Sequence, residues 1–182
     1  MIKTKDILRL TLTLLVITAV VAAALAGVNA ITNPIIAKSQ EQKIQDAVSQ
    51  VLPGGGKLLE QFPDETGLVE AVYASEAGYA IQVAPNGFGG KIVMMVGIQD
   101  GKVSGLSIIS HAETPSLGAV IAGSDAAGNA FRDQFAGHTG NLAVTKDGGS
   151  IDAVTGATIS SRAVVEGVNA ALACATGLEA GK

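Results

Sequence analysis

From Leu10 to Ile31 the chain runs for 22 residues without a charge, with Thr11, Thr13, Thr18 and Asn29 as its polar side chains. At about 1.5 Å of rise per residue, roughly 20 apolar residues cross the hydrocarbon core of a bilayer. The run therefore predicts a transmembrane helix over residues 10–32. Asn33-Pro34 should break or kink that helix at its outer end. The pattern then changes: between Gln40 and Leu52, Ile44, Ala47, Val48, Val51 and Leu52 fall on one side of an amphipathic helix. Pro53-Gly54-Gly55-Gly56 ends it and reads as a hinge.

Beyond the glycines the period shortens to that of strands. Leu68–Ala74, Tyr79–Ala84, Ile92–Ile98 and Val103–Ile109 are β-branched and apolar, and Gly, Pro and Asn signals separate them. Gln99-Asp100-Gly101-Lys102 is a hairpin turn by composition. Connections this short require antiparallel neighbours, because parallel strands need a crossover of about a dozen residues or more. A helix or turn is expected around Gly123–Phe135, an extended piece at Leu142–Val144 and a turn at Lys146-Asp147-Gly148-Gly149. Ile151–Val154 leads into a last helix whose apolar face is Val164, Val165, Val168, Ala171 and Leu172. The predicted fold is α+β, a mostly antiparallel sheet with flanking helices, anchored by one N-terminal transmembrane helix. Its expected parts are a cytoplasmic N-terminus (1–9), the span (10–32), a stalk helix and hinge (33–56), and an extracytoplasmic domain (57–182).

Charge refines this picture. The chain carries −4 overall, yet Lys3, Lys5 and Arg9 outweigh Asp6 ahead of the span. The positive-inside rule then puts the N-terminus in the cytoplasm and the rest outside. A cleaved signal peptide competes, with Val28-Asn29-Ala30 as a cleavage site, but the apolar run exceeds the usual ~7–15 residues of such a segment. An acidic soluble part argues against a nucleic-acid partner, which would demand basic patches. Cys174, the single cysteine, forms no internal disulfide and reads as a small buried apolar residue. The Cys and His spacing fits neither a zinc nor an iron–sulfur site. There is no GxGxxG fingerprint and no P-loop, and Gly87-Phe88-Gly89-Gly90 reads as a turn between strands rather than a phosphate cradle.

The candidate chemistry lies in Asp152-Ala-Val-Thr155-Gly156-Ala157-Thr158-Ile-Ser160-Ser161-Arg162. These hydroxyls sit at or just before a helix N-terminus, where unpaired N–H groups and the macrodipole favour an anion, phosphate above all. Arg162, in the first turn, opposes the dipole unless an anion is near. The bland alternative is a Ser/Thr N-cap with a solvated arginine. A second stretch, His111-Ala112-Glu113-Thr114-Pro115-Ser116-Leu117-Gly118, follows the fourth strand. Two residues, His111 and Glu113, rarely complete a metal site or a fixed acid–base pair. His138 stands in an exposed-looking turn and is given no role.

Asp-x-x-Thr-Gly-Ala-Thr-x-Ser resembles the flavinylation motif of the FMN-binding domain family, and the second stretch resembles that family's His-x-Glu-Thr-Pro-Gly-Leu-Gly loop. Gly87–Gly90, Ile92–Ile98 and Phe131–Phe135 also fit, so the resemblance covers most of the chain. Within the family it is most similar to the G subunit of the Rnf complex, an ion-translocating ferredoxin:NAD oxidoreductase; the C subunit of the sodium-pumping quinone reductase is a longer relative. The resemblance implies that an FAD-dependent flavin transferase esterifies FMN through its phosphate onto Thr158. Gly156 and Ala157 would admit the bulky donor, with Asp152, Thr155, Ser160 and Arg162 completing the motif. Ser160 is the rival acceptor, with helix capping as its preferred role. His111, Glu113, Thr114 and Leu117 would lie beside the flavin, Glu113 and Thr114 as hydrogen-bonding groups and Leu117 as an apolar contact. Ser116 replaces the family's glycine and is strained if that position needs positive φ.

The function implied is a membrane-anchored flavoprotein subunit that relays electrons among other membrane subunits of an ion-pumping complex. The cofactor would carry the redox chemistry and the protein would place it. Aromatics make up 3% of the chain, with no tryptophan, which argues against a deep stacked flavin pocket. A stand-alone extracytoplasmic flavoprotein and a flavin-free binding or scaffold module remain alternatives on sequence. A Ser/Thr hydrolase fits poorly, because Ser160 has no Gly-x-Ser-x-Gly elbow.

Overall fold

The computed structural model describes residues 4–181; Lys3 of the basic flank and Lys182 lie outside the described residues. α1 is one uninterrupted helix, Thr4–Val51, with Pro34 inside it. The expected break at Asn33-Pro34 is therefore absent. Pro34 forfeits one backbone hydrogen bond, and the turns on either side carry the helix through, as spanning helices tolerate.

Through Gln42 the helix forms a unit of its own. Its large apolar side chains are exposed all round, Leu10 at 68%, Leu15 at 58% and Leu25 at 65%, as a lipid-facing segment requires. The hydroxyls of Thr11, Thr13 and Thr18 donate back to the carbonyls of Ile7, Arg9 and Leu14 at 2.8–3.0 Å. These hydroxyls are thereby satisfied within their own helix.

The second unit begins at Lys43, ahead of the glycines at which a hinge was expected. It is built on β1 (Lys57–Leu58), β2 (Val69–Ser75), β3 (Gly78–Val83), β4 (Val93–Gln99) and β5 (Lys102–Ser110). These form an antiparallel sheet in sequence order. The four long strands fall where the apolar pattern puts them, and the two-residue β1 is an addition. Asp100 and Gly101, at φ 51° and 69°, make the two-residue turn between β4 and β5, the conformation that the right-handed twist of a hairpin favours.

Both faces of this sheet are covered. On one, Ala47, Val48, Val51 and Leu52 at the end of α1 pack with Ala80 and Met95. Gly97 makes the approach possible: a Cβ there would stand 2.5 Å from the Val51 carbonyl oxygen. That carbonyl, at the helix end, accepts from Ser104 Oγ at 3.0 Å. On the other face Ile81, Val83, Met94, Val96 and Ile98 meet Val164, Val165, Val168, Ala171 and Leu172 of α3 (Thr158–Ala180).

Between β5 and α3 the chain forms a 3₁₀ turn at Gly118–Ala122, α2 (Ala126–Asp133) capped by Asp125, and a second 3₁₀ turn at Thr145–Asp147. The extended piece at Leu142–Val144 contributes one parallel bridge, Val144 to Ile151. Cys174 is buried at 3% exposure, and burial, aided by the charge of Asp64, pushes its thiol up to about 11.

Candidate functional site

Gly156 sets the geometry of the motif. It sits at φ 79°, a conformation that side chains with a Cβ resist, within a turn closed by Ala157 N–H donating to the Val154 carbonyl at 2.9 Å. The turn delivers Thr158 as the first residue of α3. Ala157 is the N-cap and supplies no side-chain hydrogen bond. The expected Ser/Thr cap is thus absent, and the first N–H groups of α3 are left for another partner. The serines are otherwise engaged. Ser161 Oγ donates to the Ala157 carbonyl and accepts from Val154 N–H, both at 3.0 Å.

Ser160 is buried to 1% exposure and donates to Glu113 Oε2 at 2.5 Å. Its role is cross-linking rather than capping, because its place in the first turn of α3 points it at the loop after β5. Glu113, itself 6% exposed, uses its other oxygen to accept from Gly89 N–H at 3.0 Å. One carboxyl group therefore joins the 87–90 turn, the 111–118 loop and α3. His111 supports it from beside, its Nδ1 accepting from Glu113 N–H at 3.2 Å. Ser116 does adopt positive φ, 63°, the strain anticipated from the missing glycine.

These three segments enclose a cleft of about 400 Å³ lined by Phe88, Glu113, Thr114, Leu117, Thr158 and Ile159, among others. Its rim is apolar and open: Phe88 is 68% exposed, Leu117 46% and Ile159 51%. The volume lies in the range of small-molecule sites, which are mainly apolar with a few fixed polar groups. Thr158 is half-buried in the wall, and Lys146 Nζ donates to its Oγ1 at 3.3 Å.

Of the residues singled out in the sequence, Glu113, Thr114, Leu117, Gly156, Ala157, Thr158 and Ser160 line this cleft. Asp152 and Thr155 instead line a neighbouring groove with Phe131 and Gln134; the main chain of Asp152 is held there by the Gln134 amide at 2.7 and 3.2 Å. Arg162 is turned away, paired with Asp147 through two bonds of 2.7 and 2.6 Å. Its charge is answered by Asp147, and hydrogen bonding to that arginine, with its charge, holds the Asp147 carboxyl below the usual carboxylate range.

Lys146 and Phe88 are the lining residues that sequence reasoning assigns only to turns. Lys146 lies 12 positions before Thr158 and no periodicity links them. The position of Phe88, a lone large side chain among glycines, is a signal available in the sequence.

A hydroxyl at an uncapped helix start, set in an open apolar cleft with one ammonium group, suits a phosphate-bearing aromatic ligand. The class these features define is the FMN-binding domain, whose family model matches residues 87–173, while residues 1–51 match the RnfG N-terminal region. The G subunit of the Na(+)-translocating ferredoxin:NAD(+) oxidoreductase complex of Acetobacterium woodii is 34% identical, over 91% of this chain and 89% of its own. The corresponding protein of the proton-translocating ferredoxin:NAD(+) oxidoreductase complex of Clostridium ljungdahlii is 37% identical, over 87% and 85%. That of the ion-translocating oxidoreductase complex of Methanosarcina acetivorans is 30% identical, over 92% and 94%. The chain belongs to the RnfG family, the G subunits of ion-translocating oxidoreductase complexes.

Proposed function

We propose that this protein is the flavoprotein subunit of an Rnf-type ion-translocating ferredoxin:NAD oxidoreductase complex, carrying FMN esterified to Thr158 and relaying electrons between neighbouring membrane subunits. FMN, when bound, exchanges electrons singly or in pairs. The chain supplies the rest. Thr158 would tether the phosphate at the start of α3, and Phe88, Leu117 and Ile159 offer an apolar rim on which a flat ring can rest. Glu113 fixes the three segments that form the wall. An open cleft leaves a ring edge accessible, which suits electron hand-off better than turnover of a sequestered substrate.

The observation that carries this reading is the contrast among the motif hydroxyls. Thr158 is accessible within the cleft, whereas Ser160 is buried and already donates to Glu113. Maturation requires an FAD-dependent flavin transferase. Residues 1–9 would lie in the cytoplasm and the domain beyond the span on the outer face, on the strength of the basic flank. The decisive experiment is intact-mass analysis, with peptide mapping of residues 152–162, on protein made together with an active transferase. The wild type should gain the mass of FMN less water on Thr158, and Thr158→Ala should gain none. Full FMN mass on Thr158→Ala would reject Thr158 as the acceptor.

A further inference from the structure

The turn at Thr145–Asp147 places a cation on the acceptor hydroxyl, and the backbone behind that cation is pinned. Asp147 N–H donates to the Val144 carbonyl at 2.8 Å, Gly149 N–H to the same carbonyl at 3.1 Å, and Thr145 N–H to the Ile151 carbonyl at 2.8 Å. The Asp147 carboxylate is gripped by the guanidinium of Arg162, one helical turn beyond Thr158 on α3. The turn is thus tied to the same helix that carries the hydroxyl. Lys146, between these fixed points, reaches Thr158 Oγ1. Among the described residues lining the cleft it is the one with a positive charge.

A neutral threonine hydroxyl needs no lysine, since water serves it equally well. The ammonium group gains its effect when an anion joins that oxygen. Arg162, the other cation near the start of α3, is neutralised by Asp147, so the counter-charge for a phosphoryl group falls to Lys146.

We propose that Lys146 is the phosphate-holding residue of this site, binding the phosphoryl group as it is transferred to Thr158 and pairing with the finished phosphodiester. The proposal rests on Thr158 being the acceptor. In the transfer, Thr158 Oγ1 attacks the flavin-side phosphorus of FAD; the O–P bond to Thr158 forms, the P–O bond to the adenylate breaks, AMP leaves, and the hydroxyl proton passes to water or to a base of the transferase. No electrons change hands. Lys146 acts twice: its N–H donation favours the alkoxide character of Oγ1, and its charge meets the negative charge on the non-bridging phosphoryl oxygens. Afterwards the diester keeps one negative charge, shared between Lys146 and the uncapped N–H groups of α3.

The test follows attachment over time by intact mass, with purified transferase and FAD, for the wild type, Lys146→Gln and Lys146→Arg. Removing one charge-assisted hydrogen bond should slow Lys146→Gln by about tenfold or more. Lys146→Arg, which restores the charge, should stay within about threefold of the wild type. Raised salt should slow the wild type and leave Lys146→Gln nearly unchanged. Unaltered circular dichroism and melting of the apo variants would separate this effect from misfolding. Attachment to Lys146→Gln at the wild-type rate would overturn the proposal, as would a slow Lys146→Arg. Failure of the underlying reading shows differently: the wild type then takes no flavin on Thr158 at all.

Discussion

At the residue scale, the site depends on a few side chains whose partners are far away in sequence. Ser160 and Glu113 are 47 positions apart, yet their hydrogen bond joins the helix to the loop that faces it. Ser160→Ala should leave Glu113 Oε2 without its donor and destabilise the domain by roughly 1–3 kcal/mol, measurable by urea unfolding of the apo protein. If Thr158 is the acceptor, covalent flavin should persist in that variant. The motif itself was legible in the sequence, since its residue types and order are local. Its internal division of labour was not. Arg162 reads as an anion-binding residue until Asp147 is seen to occupy it, and Lys146 reads as a turn residue until folding brings it to Thr158.

At the scale of elements, β2 to β5 were readable because each alternates or runs apolar between strong turn signals, and Asp100-Gly101 fixes the register of the hairpin. β1, two residues long, has too little pattern to read. The sequence pattern shows the amphipathic stripe at the end of α1 but not the partner of that stripe. The stripe packs on Ala80 and Met95, which makes it part of the domain. A soluble version beginning at Lys43 should therefore fold as a monomer. One beginning at Lys57 loses Val48, Val51 and Leu52, each contributing about 1.5–3 kcal/mol when buried. Against the usual ~5–15 kcal/mol of a whole domain, that loss should give a broad or absent thermal transition and association through the uncovered sheet face. Equal melting of the two versions would show that the helix end adds nothing to the core.

At the scale of the whole molecule, the chain divides into an apolar helix through Gln42, long enough to cross a membrane, and a sheet domain from Lys43 that holds the candidate site. Pro34, a breaker by local rules, leaves α1 continuous, because backbone groups along the rest of the helix still pair internally. If residues 1–9 face the cytoplasm, protease added outside intact spheroplasts should digest the domain and leave the N-terminus protected. Protection of the domain in that experiment would reverse the orientation. The long apolar helix was the plainest feature of the sequence, being a matter of length and composition alone.

The burial of Ser160 and Ser161 beside a half-exposed Thr158 also bears on how the proposed transferase would find its address. Thr155, Thr158, Ser160 and Ser161 are chemically similar alcohols crowded into seven consecutive positions, and intrinsic reactivity hardly distinguishes them. Tertiary structure does, by occupying two and facing a third into a different groove. If Thr158 is the acceptor, loading of the folded chain should be single-valued, with one flavin per molecule and always at the same point.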